Sequence, residues 1–261
     1  MRKRLQYGIS IVLFLTFSVI LSAQNSYSID DKENVLTKKE QQSLEKMIDY
    51  ELTFFNKIFP SAKMTSLDVK VTIFQKYSAY LLYKKQIEGD IKYYKSLGFY
   101  SSGTKEVIVC KEKNNSFMET CYHELSHFFL HLSIASPPAW MDEGLATYFG
   151  NCRVSSKDVK HQRAEYLIGR LKTMIEMKDI DLRDFVTWKA SKFAQISFTQ
   201  DNYGYAAGYC MILYLLQKDE NLTVNIMQAI MQNKSSEEAF DTFYTGGFSQ
   251  FEKDFMAFYS N

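Results

Sequence analysis

The sequence predicts an α+β fold: a small mixed sheet comes first, a mainly helical second half follows, and one histidine-bearing helix lies at their junction. Three observations predict it. Val69, Val71 and Ile73 alternate with Lys70 and Thr72, the period of two that a half-buried strand requires. The stretch "GFYSSGTKEVIVC" (98–110) places two short apolar runs on either side of a Ser-Gly turn signal. After Cys152 the apolar residues recur at helical spacing instead, over 157–177, 203–217, 222–232 and 248–258.

In chain order, Arg2, Lys3 and Arg4 precede an apolar run from Tyr7 to Leu21, and Leu21-Ser22-Ala23 has the small residues of a cleavage site. This is the layout of a secretory signal peptide over residues 1–23, with a mature N-terminus near Gln24. The run is shorter than the ~20 apolar residues of a membrane span, so no stable membrane insertion is expected after cleavage, and an N-terminal anchor only if cleavage fails. Residues 24–37 are polar and read as a lead-in. Leu44, Met47, Ile48, Leu52, Phe55 and Ile58 fall on one helical face between Lys38 and Phe59, and Pro60 stops that helix. Residues 76–88 read as a further helix. The second strand of the 98–110 pair is Glu106–Cys110. A helix follows over about 116–133, the Pro137-Pro138 pair breaks it, and a second runs to Gly150. The division expected is therefore a signal peptide (1–23), an N-terminal α/β part with edge strands (24–112) and a part made of the junction helices and the helical remainder (113–261).

Composition excludes several classes. With 46% hydrophobic and 23% charged residues, the chain of 261 residues is neither disordered nor fibrous. Loss of Arg2, Lys3 and Arg4 takes three of 31 basic residues and no acid, leaving 28 against 30 acidic. Such a near-neutral chain has no electrostatic reason to bind nucleic acid. Cys110, Cys121, Cys152 and Cys210 contain no C-x-x-C pair, so they read as buried or disulfide-paired structural residues rather than a zinc ribbon.

The chemistry lies in "HELSHFFLHLSIASPPAWMDEGLATYF" (123–149). Residues four apart share a helix face, so His123 and His127 can aim two imidazole nitrogens at one ion. Glu124 sits about 100° round the helix, beside the ligands and able to reach a water without binding the metal. A zinc site needs a third protein ligand and an open fourth position. His131 lies about 12 Å from His123 along the axis, too far to share the ion, and reads like His161 as a surface or packing residue. Glu143, on the helix after the proline break, is placed to complete the set, and Gly144 beside it would let the two helices approach closely. Trp140 and Tyr148 read as core or cleft-wall aromatics.

H-E-L-S-H followed by P-A-W-M-D-E-G-L-A-T-Y-F resembles the gluzincin metallopeptidases, the branch of the zincins with a glutamate third ligand, and is most similar to uncharacterised exported "peptidase MA-like" families. The similarity covers Gly98 to Phe149 well and the rest loosely. It implies a zincin-like fold, Zn²⁺ held by His123, His127 and Glu143, Glu124 as general base, and the strand near 106–110 as an edge that binds extended substrate. The G-x-M-E-N segment with which the aminopeptidase branch captures a free amine has no counterpart in "SSGTKEVIVC". In that branch a tyrosine of a Y-x-x-G pattern stabilises the oxyanion. "DNYGYAAGYCMILYLL" (201–216) is similar, with Tyr205 and Gly208 matching, Ala207 departing from the usual lysine, and Tyr203 as a rival. The resemblance implies a zinc-dependent peptidase acting on a peptide or protein, and the signal peptide makes it an exported one, periplasmic or extracellular. The alternative is an inactive zinc-stabilised binding or scaffold module.

Overall fold

The computed structural model describes residues 27–31, 33–60, 68–89, 96–199 and 202–260. The expected signal peptide lies outside them. The fold is α+β. A four-stranded mixed sheet is built from β1 (Tyr27–Asp30), β2 (Val69–Phe74), β3 (Gly98–Ser101) and β4 (Glu106–Cys110), in the order β1-β2-β4-β3. β1, β2 and β4 are mutually parallel, and β3 returns antiparallel to β4. Glu106–Cys110 is therefore an interior strand. The edge next to it is Gly98–Ser101, which corrects the expectation that 106–110 would be the substrate-binding edge. Alternation identifies a strand but does not order its neighbours.

The sheet separates two sets of side chains by the strand period of two. Val71, Ile73, Val107 and Val109 face the main core, while Ile108 and Cys110 pack with Tyr80 and Phe99 in a smaller cluster. Tyr80 belongs to α2 (Tyr77–Glu88), which covers that second face. On the main side lies α1 (Lys38–Ile58), opened by a capping box in which Thr37 and Glu40 satisfy each other's backbone N–H groups. All six apolar positions expected on its inner face are buried.

The junction helices are α3 (Phe117–Ser133) and α4 (Ala139–Gly150). They run antiparallel: a Cβ on Gly150 would lie 3.2 Å from the Glu119 carbonyl and 3.5 Å from His123 Cβ, whereas Asp142 meets His127 and His131 at the other end. Gly144 plays a different part from the one expected. Its missing Cβ leaves room for α8 (Tyr203–Lys218), since an added methyl would sit 2.6 Å from the Gly208 carbonyl oxygen. The close approach of α3 to α4 falls to Gly150 instead. Because the clash at Gly144 is with backbone, Gly144→Ala is expected to destabilise the fold by about 1–3 kcal/mol, measured by urea denaturation.

The remainder is a β-hairpin, β5 (Cys152–Val154) and β6 (Val159–His161), then α5 (Glu165–Glu176), α6 (Leu182–Phe185), α7 (Ala190–Thr199), α8, α9 (Glu220–Met231), α10 (Ser236–Phe243) and α11 (Gly247–Ser260). Two expectations are corrected here. The helix expected over 157–177 begins only at Glu165, because Ser155 accepts the N–H groups of Lys157 and Asp158 and turns the chain into the hairpin. The lead-in at 24–37 contains β1, which pairs with β2 through its backbone and carries little apolar signal. One main core draws residues from Leu44 to Tyr259, so residue 112 divides the chain by element type and not by core. All four cysteines are buried free thiols. Among the described residues no helix is long and apolar enough to cross a membrane.

Candidate metal centre

His123 and His127 project from one face of α3, and Glu143 reaches them from α4. The two histidine Nε2 atoms are 3.2 Å apart, and Glu143 Oε2 lies 3.5 Å from the first and 3.8 Å from the second. Ligands bonded to one tetrahedral zinc at about 2.0–2.1 Å stand roughly 3.3 Å from one another. The triangle therefore has the size of a ligand set. Glu143 Oε2 is buried and has no hydrogen-bond partner, an orphan that such an ion would satisfy.

Asp142 determines which nitrogen of His127 faces the centre. Its Oδ1 lies 2.6 Å from His127 Nδ1, and its Oδ2 lies 3.0 Å from His131 Nε2. A neutral His127 that donates Nδ1–H to Asp142 leaves its Nε2 lone pair directed at the centre, the arrangement of a carboxylate–histidine–metal triad. Burial alone would depress the His127 imidazole, but Asp142, with Glu143 and Glu124, outweighs it and raises His127 to about 10. Burial works against the Asp142 carboxylate too, yet His127 and His131 hold it well below the usual range. The pocket thus favours a cation between its acids. His127, His131 and Asp142 also form a cluster compact enough for an ion. Their contacts are at hydrogen-bond length, however, so Asp142 supports the first site instead of forming a second.

His131 is accordingly no bystander, which corrects its expected packing role. Asp142 was not identified from sequence at all; the available signal was an acid beside the presumed third ligand, since ligating histidines need an acceptor on their other nitrogen. Asp142→Ala is expected to weaken metal binding by about 10–100-fold, read by competition with a chromophoric chelator. Unchanged affinity would remove Asp142 from this role.

Glu124 lies beside the triangle, buried, and roofed by the edge strand: a Cβ on Gly98 would be 3.1 Å from Glu124 Cγ and 3.2 Å from its Oε1. Burial raises its pKa, Glu143 adds to the effect, and His123, His127 and Lys84 oppose it. A carboxyl tuned upward is suited to proton exchange near neutral pH. Glu124, His123 and Tyr205 line one cavity of about 500 Å³. The Tyr205 ring centroid is 6.5 Å from that of His123. Tyr203 turns away, stacked on Trp188 at 5.4 Å and nearly fully buried, so of these two it is Tyr205 that lines the cavity.

The other singled-out aromatics are structural. His161 stacks on Tyr148 with centroids 4.0 Å apart and lies 3.2 Å from the Tyr209 hydroxyl; burial lowers it to about 4. Trp140 is fully buried and donates its indole N–H to Ser236 Oγ at 2.9 Å.

A family model described as a protein of unknown function, DUF1570, matches residues 118–237. The matched span contains His123, Glu124, His127, Asp142, Glu143 and Tyr205. No curated protein matches the chain.

Proposed function

We propose that the protein is an exported zinc-dependent peptidase. The observation that carries the reading is the half-buried His123–His127–Glu143 triangle with the buried Glu124 beside it but outside the ligand set. Two histidines and a carboxylate also suit a non-haem iron, but a buried base next to the ligands serves hydrolysis, and three ligands with an open fourth position suit zinc. Zinc bound there would supply Lewis acidity toward a water and a substrate carbonyl. Glu124 accepts the proton of the attacking water and returns it to the departing amine. Tyr205 donates a hydrogen bond where negative charge develops on the former carbonyl oxygen. The backbone of β3 holds the substrate as an added strand.

Purified mature protein should carry about one zinc per chain, and Glu143→Ala should bind it more weakly. Elemental analysis finding no metal after zinc addition and dialysis would overturn the proposal. Equal affinity in Glu143→Ala would show the third ligand to be misassigned.

A further inference from the structure

We infer that the metal centre lies midway along a cleft that continues past it in both directions, and that the substrate is an internal segment of an extended polypeptide, cut as by an endopeptidase. The inference rests on the peptidase reading above.

The edge strand and α3 run side by side in the same direction. Gly98 packs on Thr120 and Glu124; two residues later Tyr100 packs edge-on against Phe128 at 6.0 Å and lies 5.5 Å from His131. A chain paired on β3 therefore passes the first turns of α3, then the ligands, then His131. Space is present at each stage. The cavity of about 500 Å³ takes in Glu119 and Thr120 on the near side. A second, of about 1040 Å³, takes in His131, Ser133 and Asp142 at the α3–α4 turn on the far side. From Glu119 to His131 the helix rises about 18 Å, with the two histidine ligands in the middle. At about 3.3 Å per residue that length holds five or six residues of substrate, two or three on either side of the scissile bond.

The charges along the cleft agree. An enzyme that removes residues from an N-terminus needs a carboxylate to hold the free amine. Glu119 is paired with Arg153 at 3.3 Å, Glu237 is paired with Arg183, Asp142 is engaged by His127 and His131, and Glu124 stands beside the metal ligands. Among the described residues, no other acid lines either cavity. Of the Lys and Arg residues lining the cavities, Arg153 on the near side is engaged by Glu119, and Lys189 and Lys234 on the far side are solvent-exposed, so none forms an enclosed seat for a terminal carboxylate.

The test uses zinc-loaded mature protein and a pool of peptides of about ten residues, long enough to cross the cleft, in two forms: free termini, and N-acetylated with a C-terminal amide. Products are read by mass spectrometry. Binding of a fluorescent doubly blocked peptide to the zinc-loaded Glu124→Gln variant is read by anisotropy. The expected result is cleavage at internal bonds at similar rates in both forms. Ala135→Trp, which fills part of the far cavity, should raise KM for the long peptides with little change for the shortest ones cleaved. Release of single residues or dipeptides from free ends alone would overturn the inference and leave the peptidase reading standing. Binding of the blocked peptide without any cleavage by wild type would support the cleft and overturn the peptidase reading. Neither binding nor cleavage would overturn both.

Discussion

Glu124→Gln is expected to abolish most peptide cleavage, lowering kcat by about 10²–10⁴, the contribution of a positioned general base, while zinc content stays at the wild-type level. The geometry makes these outcomes separable. Glu124 belongs to the same helix as both histidines but points beside their triangle, under Gly98, so its amide analogue should leave the ligand set unchanged. Glutamine keeps the length and shape of the side chain but loses its charge and its ability to exchange a proton. Full activity in Glu124→Gln would exclude Glu124 as the base. A wild-type protein that binds zinc and cleaves nothing would match the inactive scaffold alternative. Steady-state kinetics with zinc measured on the same samples distinguishes these cases.

Glu51→Leu is expected to stabilise the protein at neutral pH. Glu51 lies on α1, fully buried, and neither carboxyl oxygen has a hydrogen-bond partner. Burial raises its pKa well above the ordinary value, against the opposing influence of His127. Above pH ~4.5 the unfolded chain releases this proton while the folded protein retains it, so the folded state binds more protons and stability falls as pH rises. At pH 7 the folded state bears either a charge it cannot solvate or an acid it cannot hydrogen-bond. Replacing an unpartnered buried polar group by an apolar one of similar volume removes that cost, and a gain of about 1–3 kcal/mol is expected. Glu51→Gln should flatten the pH dependence in the same way with a smaller gain, because its amide also lacks partners. Urea denaturation of the three proteins between pH 5 and 8 measures both effects. A Leu variant less stable than wild type would show that the carboxyl has a partner of its own, such as an enclosed water.

The parts of the site legible in the sequence are those set by local spacing. His123, Glu124 and His127 lie within two turns of one helix, and Glu143 follows the Pro137-Pro138 reversal at a distance that brings it back beside them. What stayed hidden depends on which element lies next to which. The alternation at 69–73 and the apolar run at 106–110 identify strands, yet only the assembled sheet puts Glu106–Cys110 inside and Gly98–Ser101 at the edge. Gly144 signals a close approach, but the partner is Gly208 on α8 and not the α3 helix that the sequence suggests. Asp142 and His131 gain their role because α4 runs antiparallel to α3 and sets them opposite His127. The second strand of the hairpin falls inside the helix expected over 157–177, since strands of three residues are too short for a period of two to register.

The most direct measurement starts from metal-free mature protein and adds zinc in steps, following peptide hydrolysis and bound zinc together. Activity should rise in proportion to occupancy, level off at about one zinc per chain, and return to zero on chelation. Hydrolysis that is already complete before zinc is added, or none when the site is full, would contradict a zinc peptidase centred on His123, His127 and Glu143.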